Sequence, residues 1–199
     1  MITIEEFCRR IADRALDYLI DEVLLGDQAA HVSGADTEYL RKALGGTFNV
    51  LVKDINVWVV GSAKLGFSIT EKHLPTGTLP RYRAFSPGSD IDVAVISPRV
   101  FDLIWAELST HAHRVPCLPW DSGKLGDYLV CGWLRPDHFP IGPRLRRCDD
   151  WGYLFRKLSK DPRYRRHKVR GGLFHSTDHL RQYQARALNE CVAVESFNI

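Results

Sequence analysis

The feature that most constrains the fold of this chain is the segment at residues 90–96, in which two aspartates precede a β-branched run. The order Asp-Ile-Asp-Val-Ala-Val-Ile predicts a strand. Successive side chains of a strand point to opposite faces, so Asp90 and Asp92 are expected to share one face. Two adjacent carboxylates repel each other unless a cation neutralises them. The pattern therefore predicts a site for Mg²⁺ or Mn²⁺, which prefer oxygen ligands; two solvated aspartates at a strand end are the alternative.

A second β-branched and aromatic segment, at residues 55–60, runs directly into Gly61 and Ser62. It predicts a strand that ends in a tight turn and a short helix. Glycine lets the backbone approach a phosphate closely, and the amides at a helix start point at anions. The side chains of Ser62, Lys64 and Ser68 add further donors, so the segment is a candidate nucleotide-binding loop. It lacks the Walker A and Rossmann glycine patterns, and a purely structural turn is the alternative.

Apolar periodicity and β-branched runs predict the remaining helices and strands. The predicted helices span residues 4–25, 37–44, 101–113, 149–158 and 178–194, and further strands span residues 128–134 and 167–175. Residues 70–88 are rich in proline and glycine, which predicts a long loop. The simplest organisation is one α/β (α+β) domain over residues 1–199, with N-terminal helices at 1–50, a motif-bearing core at 55–135 and a basic C-terminal part at 144–199.

The composition is that of an ordinary globular chain, with 45% hydrophobic and 26% charged residues among 199. No apolar run approaches the ~20 residues that a membrane-spanning helix needs. The first residues are acidic and amphipathic, which does not fit a secretory signal. Five widely spaced cysteines without a Cys-x-x-Cys pair argue against a disulfide framework and a zinc site. These features predict a cytoplasmic protein that does not bind membranes.

Charge is distributed unevenly along the chain. Residues 1–143 carry 14 Lys and Arg against 18 Asp and Glu, whereas residues 144–199 carry 13 against 6. The densest basic run lies at residues 163–170, Arg-Tyr-Arg-Arg-His-Lys-Val-Arg. Basic runs attract phosphates, either of a nucleotide or of a nucleic acid. A solvated surface with scattered acidic partners is an equally good interpretation.

Taken together, the strand ending in Gly61 and Ser62 and the strand bearing Asp90 and Asp92 resemble the signature of the DNA polymerase beta-like nucleotidyltransferase superfamily. The resemblance extends to a small bacterial nucleotidyltransferase-like subfamily and covers residues 55–100. It implies a nucleotidyltransferase fold, with a mixed sheet flanked by helices. It also implies that Gly61 and Ser62 hold the phosphates of a nucleoside triphosphate. Under the same resemblance, Asp90 and Asp92 hold the metal ions and are catalytic.

The chain departs from this family in two respects. The gap between Ser62 and Asp90 is longer than usual, so residues 70–88 are an insertion. Four of its basic side chains are candidates to face the nucleotide: Lys72, His73, Arg81 and Arg83. Active members of the family place a third carboxylate on a later strand, but the predicted strand at 167–175 contains no acid. Three residues are candidates for that role, or for a base that replaces it: Asp127, Asp137 and His175.

The leading hypothesis is a metal-dependent nucleotidyltransferase. Such an enzyme transfers a nucleoside monophosphate from a triphosphate to an acceptor hydroxyl and releases pyrophosphate, while the metal neutralises the triphosphate. The acceptor is left open among a nucleotide, an RNA end, a protein side chain and a small molecule. A catalytically silent module that binds a nucleotide or RNA is the alternative, favoured by the missing acid and the basic C-terminal part. Small proteins that resemble this superfamily also serve as bacterial toxins or phage-defence components, which is a third expectation by analogy.

Overall fold

The computed structural model describes residues 2–117, 120–139 and 145–195. Residue 144 and residues 196–199 of the predicted basic part lie outside this range. The helices are α1 Ile4–Ala12, α2 Leu16–Tyr18, α3 Gly34–Phe48, α4 Ser62–Leu65, α5 Pro98–Ala112, α6 Ser122–Val130, α7 Arg146–Leu158 and α8 Thr177–Glu195. A π-helical segment spans Leu19–Leu24, and short 3-10 turns span Val52–Asp54, Pro136–His138 and Pro162–Tyr164. The strands are β1 Asn56–Val60, β2 Lys72–Leu74, β3 Gly77–Leu79, β4 Ile91–Ile96, β5 Trp133–Leu134 and β6 Val169–Phe174.

The central element is a four-stranded mixed sheet in the order β1-β4-β6-β5. β4 is antiparallel to β1 and parallel to β6, while β5 is antiparallel to β6. The register pairs Val60 with Asp92 and Asp92 with Arg170 across three adjacent strands. β2 and β3 form a separate hairpin. The predicted α/β class with a mixed sheet is therefore confirmed.

Helices cover both faces of this sheet, because the side chains of β4 alternate between two apolar layers. Ile91, Val93 and Val95 of β4 belong to the main core, which also contains residues of α3, α5 and α7. Ala94 and Ile96 face the other layer, where they pack with Leu180 of α8. Asp92 shares its face with Ala94, so it lies on the side of the sheet that α8 covers. Among the described residues, no helix combines the length and apolar character needed to cross a lipid bilayer.

The predicted N-terminal helix at 4–25 is interrupted. α1 ends at Ala12, Arg14 adopts a left-handed φ of 54°, and helical structure resumes in α2 and the π-helical segment. The interruption lets Phe7 and Leu19 pack together against Leu188 of α8 in one apolar cluster. The N-terminal helices thereby hold α8 in place over the sheet.

Several local predictions are confirmed, and others are wrong. The strands predicted at 55–60, 90–96 and 167–175 are β1, β4 and β6, and the last three predicted helices are α5, α7 and α8. The strand predicted at 128–134 is wrong, because α6 occupies Ser122–Val130 and only Trp133–Leu134 forms a strand. Asp121 caps α6 by accepting a hydrogen bond from the amide of Lys124 at 3.0 Å. The loop predicted at 70–88 contains the β2–β3 hairpin, and α3 extends beyond the predicted 37–44.

At Gly171 of β6 the sheet packs closely against α7. A Cβ built on Gly171 would lie 2.3 Å from Cζ of Phe155 and 2.7 Å from Cζ2 of Trp151. Gly171→Ala is therefore expected to lower the free energy of unfolding by about 1–3 kcal/mol, the usual cost of overpacking a core. Chemical denaturation measures this change.

Gly46→Ala is the matched control for that substitution. Gly46 is exposed in α3, and a Cβ there would meet no atom within 4 Å. Alanine is favoured over glycine in a helix interior by about 1 kcal/mol, so this variant should be more stable than wild type. A loss of stability in both variants, or in neither, would contradict the packing role of Gly171.

Candidate functional site

The two sequence motifs meet at one edge of the sheet, because β1 and β4 are antiparallel. The end of β1 lies beside the start of β4, and Val60 is directly opposite Asp92. Gly61 follows with φ 65° and ψ −147°, a backbone conformation that is essentially restricted to glycine. A Cβ on Gly61 would lie 3.6 Å from Oδ2 of Asp92. The missing side chain therefore leaves the space beside the Asp92 carboxylate open.

A cavity of about 340 Å³ opens at this point between the sheet and α8. Its volume falls within the range of small-molecule sites, about 300–1,000 Å³. The polar side chains in its lining include Ser62, Ser68, Asp92, Arg135, Arg170 and Gln184. Trp133 and Tyr183 add aromatic surface. The cavity therefore combines a carboxylate and two guanidinium groups with an aromatic wall, which suits an anionic ligand that has an aromatic part.

The Asp92 carboxylate is half-buried, and burial raises its pKa above the usual value. The negative charge of Asp90 raises this pKa further, since neighbouring anions repel each other. The positive charges of Arg170, Arg135 and Lys72 act in the opposite direction without restoring the ordinary pKa. The side chains around Asp92 thus compensate its negative charge only in part.

Arg170 contacts the other carboxylate of the pair. Its Nε lies 2.9 Å from Oδ2 of Asp90, as an ion pair rather than a well-aligned hydrogen bond. On β6, Arg170 stands directly opposite Asp92. The turn before Asp90 is fixed by a contact of 2.8 Å between Nδ1 of His167 and the carbonyl oxygen of Ser89. A guanidinium group therefore occupies the strand next to the aspartate pair, where the family resemblance implies a third carboxylate.

The residues considered for the role of the third acid do not join this pair. Burial raises the pKa of Asp137, but hydrogen bonds from Arg135 at 2.9 and 2.8 Å hold it below its usual value. Asp127 lies on α6 and lines a neighbouring cavity. His175 follows the far end of β6, where its Nε2 is 3.8 Å from Oδ1 of Asp102. Within the described part of the chain, no three or more Asp, Glu, His or Cys side chains are grouped so as to hold a metal ion.

Three of the four predicted loop residues line the cavity: Gly61, Ser62 and Ser68. Lys64 is the exception. It is buried, its ammonium group donates a hydrogen bond to the carbonyl oxygen of Gly26, and it lines a different cavity. The Ser68 hydroxyl donates to a backbone carbonyl two residues later at 2.9 Å, so this donor is already engaged.

The basic residues of the predicted insertion lie outside the cavity lining. Arg81 and Arg83 donate to backbone carbonyls of the same region of the chain. His73 contacts Oγ1 of Thr78 across the hairpin at 3.0 Å. Lys72 is exposed, but its positive charge lowers the pKa of Asp92. Arg83 also donates to the hydroxyl oxygen of Ser68 at 3.3 Å, so Lys72 and Arg83 both influence the candidate site without lining the cavity.

Several cavity residues were not predicted as site residues from the sequence, among them Arg135, Tyr183 and Gln184. Burial raises the pKa of Tyr183, and the negative charge of Asp92 raises it further, so the phenol remains a hydrogen-bond donor. No local pattern marks these residues, because they reach the cavity through the docking of β5 and α8 against the sheet. The spacing of Tyr183 and Gln184 from Leu180 on one helical face is the only signal that points to a shared surface.

No protein-family model matches the chain, and comparisons with curated proteins and with solved structures found no significant match. The nature of the site must therefore be inferred from the residues that form it. They define a mixed α/β fold in which an aspartate pair and a glycine turn share one sheet edge. That edge opens into a cavity with two arginines in its lining.

Asp92→Asn is expected to stabilise the protein at neutral pH. Because the pKa of Asp92 is raised in the folded state, the folded protein holds this proton more tightly than the unfolded chain does. Wild-type stability should therefore fall as the pH rises from the ordinary aspartate pKa through the raised value. Asparagine removes this dependence, so the melting temperature of the variant should exceed that of wild type at neutral pH and approach it in acid. Thermal unfolding across this pH range measures the difference.

Asp90→Asn is the matched control. It makes the same substitution at the other aspartate, whose charge is paired with Arg170. Ion pairs between partly exposed side chains contribute about 0–1 kcal/mol. The loss of this pair opposes the relief of repulsion between Asp90 and Asp92, so this variant should be stabilised less than Asp92→Asn. A melting temperature at neutral pH that is lower for Asp92→Asn than for Asp90→Asn would show that the charge of Asp92 is well compensated after all.

Proposed function

We propose that the cavity binds a nucleoside triphosphate with a divalent cation, and that the protein is a metal-dependent nucleotidyltransferase with the polymerase beta-like fold. The hydroxyl oxygen of an acceptor attacks the α-phosphorus of the triphosphate, and the hydroxyl proton passes to solvent. The bond from the α-phosphorus to the bridging oxygen breaks, and pyrophosphate leaves. The acceptor then carries the nucleoside monophosphate.

The observation that supports this proposal best is that the Asp92 carboxylate, whose charge is only partly compensated, lies beside the turn at Gly61. Asp92 lies 3.6 Å from the position of the absent Gly61 Cβ. A phosphate group in this space meets both the backbone of the turn and a cation on the carboxylate. Within the described part of the chain, the amides of Ser62 and Ala63 donate to no protein acceptor. These two N–H groups are thus free to bind phosphate oxygens, and runs of backbone amides are a common way to hold anions.

The donor set fits a hard divalent cation. Asp90 and Asp92 supply carboxylate oxygens, and Mg²⁺ is normally held by one or two carboxylates, several waters and substrate phosphates. The raised pKa of Asp92 fits this role, because a cation supplies the compensation that its side-chain neighbours lack. When bound, the cation would neutralise the negative charge of the triphosphate and polarise its phosphoryl oxygens.

Arg135 and Arg170 provide fixed positive charge for the phosphates. Arg135 uses Nε and Nη2 for Asp137, which leaves Nη1 without a hydrogen bond to the described residues. Arg170 lines the same cavity and contacts Asp90 through Nε. Guanidinium groups bind phosphate oxygens through paired N–H donors. The two arginines therefore offset part of the negative charge that a triphosphate brings.

A second candidate function is favoured by the position of Arg170. The family resemblance implies a third carboxylate in active enzymes, whereas Arg170 stands opposite Asp92 and pairs with Asp90. A site of this kind can bind a nucleotide without turning it over. The alternative is therefore a catalytically silent module that binds a nucleoside triphosphate or RNA. Triphosphate binding without pyrophosphate release distinguishes this module from the enzyme.

Pyrophosphate release is the direct test of the proposed enzyme. Wild type incubated with each labelled nucleoside triphosphate and Mg²⁺ or Mn²⁺ should release pyrophosphate with at least one of them. Gly61→Ala should abolish this release, because its methyl group would lie beside the Asp92 carboxylate and its backbone could not keep the φ and ψ of Gly61 without strain. The assay measures labelled pyrophosphate over time.

Gly66→Ala is the control for backbone strain. Gly66 also has a positive φ, of 89°, but its Cβ would face Ala30 at 3.8 Å and not Asp92. Both variants should lose stability, but Gly66→Ala should retain pyrophosphate release while it is folded. If Gly61→Ala turns over like wild type, the glycine turn does not hold the phosphates.

Three cations next to the candidate site bear on the nature of the acceptor. The side chains of Arg165, Arg166 and Lys168 are exposed and form no ion pair within the described part of the chain. The carbonyl of Lys168 accepts a hydrogen bond from the amide of Ile91, the residue after Asp90. The backbone of Lys168 therefore adjoins the aspartate pair, which supports the proposal that this basic cluster attracts an anionic acceptor.

The salt dependence of affinity for single-stranded RNA tests how many phosphates of an acceptor this cluster contacts. Each phosphate contact to a single strand adds about −0.7 to the log–log slope of affinity against salt. Three cations should therefore give a slope of about −2, as expected for a nucleotide or a short anionic acceptor. Replacing Arg165 and Arg166 together by Gln should reduce the slope to about −0.7. Fluorescence anisotropy of a labelled strand measures it, and a slope steeper than about −3 would indicate a longer nucleic-acid interface.

A further inference from the structure

Gln184 is a buried polar side chain that lacks a partner in the described part of the protein. It lies on α8 with 6% of its surface exposed, and its carboxamide forms no hydrogen bond to the described residues. Two other residues with polar side chains are as buried: Lys64 donates to the carbonyl of Gly26, and Ser97 accepts from the amide of Val100. Among the described residues, the fully buried side-chain atoms without a partner are Nε of Arg81 and Arg170 and Nε1 of Trp120 and Trp151, so the amide atoms of Gln184 keep contact with solvent. Buried polar groups in proteins are almost always hydrogen-bonded. The carboxamide of Gln184 has no protein partner and lies in the lining of the candidate cavity, so its donors and its acceptor are available to a ligand there.

The candidate cavity is where such a ligand would lie. α8 turns one face toward the cavity, and this face carries Leu180, Tyr183, Gln184 and Ala187. Their spacing of three, four and seven residues places them together on a helix surface. Gln184 is the amide-bearing side chain on this face, so its donor and its acceptor are offered to whatever occupies the cavity.

Aromatic rings form the wall beside Gln184. The ring centroids of Trp133 and Tyr183 are 5.4 Å apart. The ring of Trp133 also lies 4.1 Å from the ring of Tyr128 and is stacked with Phe174 at 6.1 Å, so these four rings form one aromatic cluster. Flat heterocycles stack well on aromatic side chains, and each base has a face that can do so. A carboxamide in addition offers an adjacent N–H donor and carbonyl acceptor, which matches the edge of a nucleobase.

The charged and the aromatic parts of the cavity are separated along β6. Arg170 and Phe174 lie on the same face of this strand, four residues apart, which corresponds to roughly 13 Å. The guanidinium of Arg170 and the Asp92 carboxylate lie at one end, and Phe174 with its cross-strand partner Trp133 lies at the other. Tyr183 is close enough to Asp92 for the carboxylate to raise its pKa. A nucleotide has the same division, with its phosphates at one end and its base at the other.

We propose that Gln184 recognises the hydrogen-bonding edge of the nucleobase of a bound triphosphate, whose ring packs against Trp133, Phe174 and Tyr183 of the aromatic cluster. This inference rests on the proposed function, because it takes the phosphates to lie at Gly61 and Asp92. Its consequence is that the base contributes to affinity. The protein binds a nucleoside triphosphate more tightly than it binds the same phosphates without a base.

Calorimetric titration of the full chain with Mn²⁺ and two kinds of probe tests the inference. One probe is each nucleoside triphosphate in turn, and the other is inorganic tripolyphosphate, which lacks ribose and base. The variant is Gln184→Leu, which has a similar size and no polar atoms in its side chain. The control is Gln182→Leu, the same substitution at an exposed position of α8 that lines the neighbouring cavity.

Wild type should bind its preferred nucleoside triphosphate at least tenfold more tightly than tripolyphosphate. Gln184→Leu should lose roughly tenfold in affinity for that triphosphate, the scale of one or two hydrogen bonds, and should bind tripolyphosphate like wild type. Its melting temperature without ligand should be close to or above that of wild type, because no protein hydrogen bond is lost and an apolar side chain replaces an amide in a largely buried residue. Gln182→Leu should leave both affinities unchanged. Gln184→Met is a second apolar replacement if the leucine variant does not fold.

Equal affinities of wild type for nucleoside triphosphates and for tripolyphosphate would overturn the role of Gln184 and leave the phosphate site standing. A parallel loss of both affinities in Gln184→Leu and Gln184→Met would also overturn it, since the residue would then only shape the cavity. If wild type binds neither probe, the proposed function fails, and the assignment of Gln184 fails with it.

Discussion

The candidate site depends on the pairing of β4 with two neighbours at once, antiparallel to β1 and parallel to β6. This pairing brings the end of one strand and the starts of two others to the same edge of the sheet. Gly61, Asp92 and Arg170 thereby become neighbours although they lie far apart in the chain. A slip of β4 by one residue would turn Asp92 into the main core and apolar side chains toward α8. The apolar face of β4, packed beneath α3, α5 and α7, therefore fixes the position of the carboxylate.

Three features at this edge are unfavourable for an empty protein. Asp92 carries a charge that burial and Asp90 oppose, Gly61 has a backbone conformation restricted to glycine, and Gln184 is a largely buried residue whose amide lacks a protein partner. Local violations of this kind are expected at functional sites, where a ligand supplies what the protein lacks. The three come from a strand, a turn and a helix, but they border one cavity. Their convergence is a stronger argument for a ligand site than any one of them alone.

The structural features that could be predicted from the sequence are those that depend on residues close together in the chain. β1 and β4 were predictable because β-branched residues crowd both segments, and the shared face of Asp90 and Asp92 follows from strand geometry. The apolar run at 128–134 suits a helix or a strand equally, and the cap at Asp121 decides for the helix. Lys64 has the chemistry of a phosphate ligand, but its short helix directs it to the carbonyl of Gly26. Arg170 could not be placed, because its position depends on the pairing of β4 with a strand distant in the chain.

Under the proposed function, Arg170 determines how metal and nucleotide binding are coupled. In the protein alone, its guanidinium lies 2.9 Å from Asp90, so a cation that binds the aspartate pair must compete with it. A triphosphate offers Arg170 another anionic partner and so releases Asp90 for the cation. Each ligand removes an obstacle to the other, and linkage requires the effect to be reciprocal. This reasoning holds for a silent module as well as for an enzyme, because it concerns binding and not turnover. A carboxylate at position 170 would favour a preformed metal site, whereas arginine favours one that assembles only with its nucleotide.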